Sequence, residues 1–249
     1  MIKEAARLIC ESKHLCAFTG AGISVESGIP PFRGPGGLWN SYNPDFIEIN
    51  HFYRYPTESW QLIKEIFYDF FGQASPNAAH IALANLEKMG LLKAIITQNI
   101  DNLHQTAGST VVHEFHGTLS HLVCLDCHKR FRLDQIDMTN LPPECPECVV
   151  GLIKPDFIFF GEDIPEPARS NSLAEARNAD VMIVVGTTGE VMPACTLPYL
   201  AQEKGARIIE VNIAPSAYTG AITDIFLQGP ATAMLKNLVA EVEAITLPA

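Results

Sequence analysis

The sequence predicts an α/β protein in which helices cover both faces of a parallel sheet. Short apolar runs alternate with segments of helical periodicity along most of the chain. Strands of a parallel sheet are buried on both faces and therefore form continuous apolar runs of this kind. The predicted strands are residues 15–18, 92–97, 111–115, 155–160, 181–185, 207–211 and 224–227.

Helical patterns fill the intervals between these runs. The N-terminal segment 1–14 is amphipathic, and segment 59–71 fits a helix with a broad apolar face. The many aromatic residues of 37–75 are best explained by packing of a small helical module, which could also wall an apolar pocket. Further helices are predicted at 76–89, 166–178, 193–204 and after 229.

The composition is that of a globular protein. Hydrophobic residues make up 47% of the 249 residues and charged residues 18%, which excludes a disordered chain. The formal net charge of −11 argues against nucleic acid as the principal partner but leaves cationic peptides as candidates. No apolar stretch is long enough to span a bilayer, and the N-terminal segment lacks the pattern of a secretory signal. A cytoplasmic protein without membrane contact is therefore expected.

A glycine-rich turn follows the first predicted strand. Gly20 and Gly22 lie between that strand and Ile23–Ser27, which could begin a helix. A strand, a glycine turn and a helix N-terminus form the context of dinucleotide-binding sites. The fingerprint is incomplete because Val25 stands where a third glycine is usual, and an ordinary tight turn is the alternative.

The loop after this turn carries a second signal. Pro30 and Pro31 stiffen the loop, and Phe32 and Arg33 follow directly. A rigid loop with one flat apolar side chain and one forked cation suits a lid over a ligand.

Polar residues follow the predicted strands at several separate points of the chain. Because the carboxyl ends of parallel strands share one edge, these residues are expected to meet there, where open α/β sheets bind ligands. Packing alone does not explain so many polar clusters at one edge, so a large polar ligand is predicted. The clusters are Gly20–Ser24, Gln98–Asp101, His116, Gly186–Thr188 and Asn212.

Four of the seven cysteines form two C-x-x-C pairs, Cys124 with Cys127 and Cys145 with Cys148. Two such pairs at this separation match a zinc site of four thiolates, which is structural because the thiolates fill the coordination shell. A redox dithiol is the alternative, but it needs only one pair. The odd number of cysteines argues against a disulfide framework.

With these features assembled, the chain resembles the sirtuins, a family of NAD-dependent protein deacylases. The matching motifs follow the family's order: GAGISVESGIPPFRG at 20–34, TQNIDNLH at 97–104, HG at 116–117, the four cysteines, FGE at 160–162, GTT at 186–188 and VN at 211–212. The resemblance implies a discontinuous Rossmann-like, NAD-binding domain of residues 1–36, 76–120 and 150–249. It also implies a small domain made of a helical module, 37–75, and a zinc ribbon, 121–149.

The resemblance further assigns roles at the strand ends. The predicted catalytic residues are His116 as general base on a ribose hydroxyl, Asn99 for a ribose hydroxyl and a water, and Asp101 for the nicotinamide amide. Phe32 would shield the reactive ribose carbon, and Arg33 would steer the phosphates and ribose. The predicted NAD contacts are Gly20, Ala21, Ser24, Val25, Phe32, Arg33, Gln98, Asn99, Ile100, Asp101, Gly186, Thr187, Thr188, Asn212, Ile213 and Ala231.

NAD is thereby implied as co-substrate and an acyl-lysine peptide as second substrate, bound as an extended strand between segments 160–165 and 189–192. The implied products are nicotinamide, free lysine and 2′-O-acyl-ADP-ribose. The apolar lining favours acetyl or longer apolar acyl groups, and no oligomeric state is predicted.

The chain departs from the family pattern at a few positions. Thr188 replaces a common serine, Gly189 and Glu190 stand where apolar residues are common, and Lys154 stands where arginine is usual. Glu190 would favour basic substrate sequences if it faces the peptide.

Three other functions are compatible with parts of the sequence. Protein mono-ADP-ribosylation is a minor outcome in the same family. A non-catalytic NAD-sensing or zinc-ribbon scaffold would need no base such as His116. Nucleic-acid binding through Lys129, Arg130 and Arg132 conflicts with the acidity of the whole chain.

Overall fold

The structure is a computed structural model that describes residues 1–34 and 36–246. Position 35 and residues 247–249, which fall within the predicted large domain, lie outside the described residues. The strands are β1 (Leu15–Thr19), β2 (Leu92–Thr97), β3 (Val112–Glu114), β4 (Gly117–Cys124), β5 (Arg130–Arg132), β6 (Ile153–Phe157), β7 (Val181–Val185), β8 (Arg207–Asn212) and β9 (Ile225–Gln228). The helices are α1 (Ile2–Glu11), α2 (Ile49–Arg54), α3 (Pro56–Ile63), α4 (Ala78–Lys88), α5 (Leu103–Thr106), α6 (Ala168–Asn178), α7 (Thr196–Glu203) and α8 (Ala231–Thr246).

A six-stranded parallel sheet has the strand order β3-β2-β1-β7-β8-β9. β1 and β7 lie at its centre, and every residue of both strands is buried. One face of the sheet packs against α1, α4 and α8, and the other packs against α6 and α7. The predicted parallel sheet with helices on both faces is therefore confirmed.

A second sheet is antiparallel, with three strands in the order β5-β4-β6. The prediction that 155–160 form a strand of the parallel sheet is wrong. The strand in this region is β6, which ends at Phe157. It pairs with β4, with Ile153 opposite Cys124, because the chain returns from the cysteine region alongside β4. Phe160 instead forms an isolated bridge with Glu48. An apolar run alone does not distinguish the two kinds of sheet.

The segment after β1 does not begin the predicted helix. Ala21–Ile23 and Val25–Ser27 form two short 3₁₀ turns. The N–H of Gly22 donates to the carbonyl of Gly186 over 2.8 Å, and Gly28, with φ of 90°, ends the second turn. The segment therefore forms two tight turns with their own local hydrogen bonds, and Gly22 bonds to a distant loop, in place of a helix.

A separate apolar cluster lies between the aromatic helical segment and the small sheet. The helix predicted at 59–71 is present as α3 and its π-helical continuation, Lys64–Phe70. Trp60 is fully buried, and its Nε1 donates to the carbonyl of Ile153 in β6 over 2.8 Å. Within the described residues, none of the helices is both long and apolar enough to cross a membrane.

Candidate active site

A cavity of about 660 Å³ lies at the carboxyl edge of the parallel sheet. The segments that follow β1, β2, β7 and β8 form one side of it. The segment Phe157–Glu162, which leaves the small sheet, forms part of the other side. A large concave site that is mostly apolar, with a few polar groups, is the usual form of a ligand-binding pocket.

Three glycines bring two loops of the sheet edge into backbone contact. A Cβ atom added to Gly22 would lie 2.6 Å from the Cα of Gly186, and one added to Gly20 would lie 2.8 Å from the Cβ of Thr187. No side chain fits at either position, so only glycines allow the loops after β1 and β7 to meet. The same glycines line the cavity, where backbone can approach a ligand closely.

Behind this lining, polar side chains form a hydrogen-bonded chain. Asn99 donates from Nδ2 to the carbonyl of Gly20 and to Oγ of Ser24, both over 3.2 Å. Ser24 donates to Oδ2 of Asp101 over 2.7 Å, and Oδ1 accepts from the N–H of Leu103 over 3.1 Å. Burial raises the pKa of Asp101, and these donors oppose the rise. This series of hydrogen bonds fixes the amide of Asn99, which lines the cavity.

Two buried histidines lie next to this chain. Nε2 of His80 lies 3.4 Å from Oγ of Ser24, and Nε2 of His104 lies 2.9 Å from Oγ1 of Thr19. Burial lowers the pKa of His80 to about 4, and burial together with the nearby His80 lowers the pKa of His104 to about 3. Both rings are therefore neutral near pH 7 and add no positive charge below the cavity.

His116 lines the cavity and has a defined tautomer. Its Nδ1 lies 3.0 Å from the carbonyl oxygen of Gln98. Because a carbonyl oxygen can only accept, Nδ1 carries the proton and Nε2 keeps its lone pair. Burial lowers the pKa of His116, and the hydrogen bond to Gln98 opposes this change. A neutral imidazole with a free lone pair is the form that a general base requires.

Thr187 connects three loops of the sheet edge. Its Oγ1 accepts from Nε2 of Gln98 over 3.1 Å and from the N–H of Gly189 over 3.3 Å. Its carbonyl accepts from Nδ2 of Asn212 over 2.9 Å. The polar segments after β2, β7 and β8 therefore meet at one place, as the strand pattern predicts.

The other side of the cavity is aromatic. The ring centroids of Phe32 and Trp39 are 5.3 Å apart, and that of Phe157 lies 5.2 Å from Phe67 and 5.1 Å from Phe159. All five residues line the cavity. The lid motif in the sequence predicts Phe32 at the ligand, whereas no motif predicts that Phe157 and Phe159 line the cavity. Their only signal was an apolar run, which was assigned to the wrong sheet.

The four paired cysteines come together at one end of the small sheet, and their Sγ atoms all lie within 4.8 Å of one another. The Sγ atoms of Cys124 and Cys148 are 3.7 Å apart, and those of Cys127 and Cys145 are 3.8 Å apart. A tetrahedral zinc ion with Zn–S bonds of ~2.3 Å places its sulfurs about 3.8 Å apart, so these residues fit the predicted ion. A Cβ atom on Gly151 would collide with Sγ of Cys124, so glycine is required beside the cluster.

The sequence and fold of this chain are similar to those of known proteins. A model of the Sir2 family matches residues 20–193. The NAD-dependent protein deacylase of Pyrococcus furiosus is 43% identical over 256 residues, a match that covers 99% of this chain and 100% of the relative. This chain belongs to the Sir2 family.

Two further Sir2 relatives support the comparison. The NAD-dependent protein deacylase 2 of Pyrobaculum aerophilum is 44% identical over 242 residues, covering 96% of this chain and 94% of the relative. A solved structure described as Sir2 with a p53 peptide and NAD⁺ superposes with a TM-score of 0.89 at 35% identity, covering 99% of this chain and all of the other.

The structure brings most of the NAD contacts predicted for this Sir2 chain to one cavity. Ser24 and Asp101 are not among the described lining residues: Ser24 is fully buried, and both lie behind Asn99. Their position depends on packing that the sequence does not reveal. The predicted residues that line the cavity are Gly20, Ala21, Val25, Phe32, Arg33, Gln98, Asn99, Ile100, His116, Gly186, Thr187, Thr188, Asn212, Ile213 and Ala231.

Proposed function

We propose that this Sir2 protein is an NAD-dependent protein-lysine deacylase that removes acetyl groups and longer apolar acyl groups. Relatives at 43% and 44% identity are named NAD-dependent protein deacylases. The observation that carries the proposal is the neutral His116, whose Nε2 keeps its lone pair and whose ring lines a cavity between a glycine-rich edge and an aromatic wall. A protein that only bound NAD would need no such base.

NAD is the co-substrate and lies along the sheet edge. Its phosphates lie against Gly20, Ala21 and Thr187, where the backbone can approach closely and Arg33 supplies a cation. Its adenosine end lies toward Asn212, Ile213 and Ala231. The nicotinamide end lies toward Asn99 and Ile100.

The polar chain behind Asn99 gives Asp101 and Ser24 an indirect role. Asp101 accepts from Ser24, and Ser24 accepts from the amide of Asn99, so the carboxylate orients that amide toward the nicotinamide ribose. A fixed amide binds a ribose hydroxyl and a water without having to reorganise.

The acyl-lysine peptide lies as an extended strand between segments 160–165 and 189–192. Its lysine side chain passes into the aromatic part of the cavity, beside Phe67, Phe157 and Phe159. Such a lining favours an apolar acyl group over an acidic one.

The resemblance to the sirtuins implies the chemistry. The acyl oxygen attacks the ribose carbon that bears nicotinamide, so that nicotinamide leaves and an imidate joins the peptide to ADP-ribose. His116 then takes the proton of a ribose hydroxyl at Nε2, and that oxygen attacks the imidate carbon. Water completes the reaction, which releases free lysine and 2′-O-acyl-ADP-ribose.

Cys124, Cys127, Cys145 and Cys148 would hold one zinc ion. When bound, the ion supplies structural cross-links between the ends of β4 and β6 and takes no part in the reaction. We also propose that residues 1–36, 76–120 and 150–249 form the NAD-binding domain, and that 37–75 and 121–149 form the small domain. The apolar cluster between 37–75 and the small sheet supports a separate small domain, and β6, although it lies within 150–249, pairs with β4 of that sheet. A cytoplasmic location stays a prediction.

Mass spectrometry of an acetyl-lysine peptide incubated with the protein tests the proposal. The peptide is expected to lose its acetyl group in the presence of NAD and to keep it in the absence of NAD. ADP-ribose on protein beside an intact acetyl-peptide would instead indicate mono-ADP-ribosyl transfer. No consumption of NAD over a panel of acyl chains would leave a non-catalytic NAD-binding scaffold.

A further inference from the structure

Lys154 is a buried charged residue that the reaction described above does not use. Only 3% of its surface is exposed. Its Nζ lies 2.9 Å from the carbonyl oxygen of Pro155, 2.6 Å from that of Phe157 and 3.0 Å from Oε2 of Glu162. An ammonium group has three N–H donors, and these three acceptors match them in number.

Glu162 extends this arrangement along the chain. Its Oε2 also accepts from the N–H of Phe159 over 2.7 Å. Nζ of Lys154 lies 4.2 Å from the centroid of the Phe159 ring, within range of a cation–π contact. Two charged side chains thus bind the end of β6, the Phe159 backbone and the Phe159 ring to one another.

The segment held in this way is a wall of the cavity, since every residue of Phe157–Glu162 lines it. Its remaining backbone bonds lead to the other parts of the site. The N–H of Ile158 donates to the carbonyl of His116 over 2.8 Å, and that of Phe160 donates to the carbonyl of Ile47 over 2.9 Å. The middle of this segment is therefore held by the backbone of His116 and of Ile47.

Stability alone is a weak reason to retain such a pair. Burial lowers the pKa of Lys154, and the charge of Glu162 opposes this change. Burying the charge of Lys154 costs free energy that the attraction of the part-exposed Glu162 offsets only in part, and well-packed apolar residues are often as stable. What an apolar pair would lose is the directional hold on the backbone of Phe157 and Phe159.

We propose that Lys154 and Glu162 are positioning residues for the acyl-lysine substrate. They set the path of Phe157–Glu162, the wall against which the peptide and its acyl group lie. The inference rests on the proposed deacylase function. Because NAD lies along the opposite, sheet-edge side, the pair acts on the affinity for peptide and not on the affinity for NAD.

Lys154→Met tests this inference, because it keeps the apolar stem and removes the ammonium group. The KM for an acetyl-lysine peptide is expected to rise about tenfold, while kcat and the KM for NAD change less than about twofold. Lys154→Arg restores a buried cation and is expected to bring the peptide KM back to within about threefold of the original value. Lys93→Met is the matched control, because Lys93 is exposed and its Nζ donates to the carbonyl of Gly90 at the surface.

Two results would overturn the inference: an equal rise in both KM values, or a lower melting temperature with an unchanged peptide KM. Glu162→Gln is the second variant if Lys154→Met does not fold, since its amide oxygen can still accept from Phe159. The same selective rise in peptide KM is expected for it.

Binding without turnover separates this inference from the proposed function. Fluorescence anisotropy of a labelled acetyl-lysine peptide is expected to show weaker binding to Lys154→Met than to the original protein. Peptide binding without NAD-dependent deacetylation by the original protein would refute the proposed function alone. Equal peptide affinity in the two proteins would refute the positioning role alone.

Discussion

The two sides of the cavity are built by different means. The sheet side consists of loops between buried parallel strands, and three glycines close it. The aromatic side depends on contacts between distant segments, such as the bond from Trp60 to Ile153 and the bridge between Glu48 and Phe160. The core of the fold thus supplies the sheet edge, whereas cross-links position the aromatic wall. Each side can therefore be disturbed separately.

Loss of the zinc ion is expected to have the largest effect, and to act on the aromatic side. Cys145→Ser removes one of the four thiolates, and metal binding in such sites supplies folding free energy. Deacylation is expected to be lost, and limited proteolysis is expected to cut first within residues 128–144. Circular dichroism should retain most of the helical signal, because the parallel sheet has its own core.

Cys10→Ser is the control for this change, since Cys10 packs on the parallel sheet away from the cluster. Metal analysis should find one zinc ion per chain in the original protein and in the control. Full activity of a protein proven to be free of zinc would contradict the structural role of the ion.

His116→Ala acts on the sheet side and is expected to have the next largest effect. General-base catalysis contributes ~10²–10⁴-fold, so kcat for deacylation should fall at least about a hundredfold. Binding of NAD, measured by calorimetry, should be nearly unchanged because the phosphates contact other residues. His51→Ala, in the helical segment, is the control. A similar kcat for His116→Ala and the control would show that another group is the base.

Gly22→Ala tests the backbone contact that closes the sheet side. The added Cβ would lie 2.6 Å from Gly186. The free energy of unfolding, measured with urea, is expected to fall by about 1–3 kcal/mol, and the KM for NAD is expected to rise. Gly72→Ala on the other side meets no atom within 4 Å and is expected to change stability by less than about 0.5 kcal/mol. Equal losses of unfolding free energy in Gly22→Ala and Gly72→Ala would contradict the close contact between Gly22 and Gly186.

The dependence of kcat/KM on pH is expected to show the smallest effect. Burial lowers the pKa of His116, so the ring stays neutral to a lower pH than an ordinary histidine. The base is active above this pKa and is lost as the pH falls through it. The midpoint of the acid limb should therefore lie below the usual value of ~6.5. A midpoint above that value would argue against a buried neutral base.

The sequence predicted the sheet side better than the aromatic side, and the reason is physical. The predicted bounds of β2 and β7 agree with the structure because a buried parallel strand is a continuous apolar run. Residues 155–160 show the same pattern, yet their strand pairs with β4, since pairing depends on the path of a distant segment. The 3₁₀ turns after Gly20 likewise accompany a contact between Gly22 and Gly186 that no local pattern encodes.

The residues of the site likewise fall into those that a local sequence pattern predicts and those that depend on the folded structure. The cysteine cluster and the polar residues at the strand ends were predicted because each signal is local in sequence. The positions of Ser24 and Asp101 behind Asn99 depend on burial and could not be predicted. Lys154 could be noted only as a departure from the family pattern, because its three acceptors become visible only when the chain is folded.

The central claim is that one cavity transfers an acyl group from lysine to ADP-ribose. The most direct test is to measure the mass of the nucleotide product from a peptide whose acetyl group carries a ¹³C label. Labelled acetyl-ADP-ribose is expected, formed in equal amount with nicotinamide and free lysine, and formed at least about a hundredfold more slowly with His116→Ala. Labelled free acetate together with unmodified NAD would contradict the claim, because the acetyl group would then have been removed by simple hydrolysis.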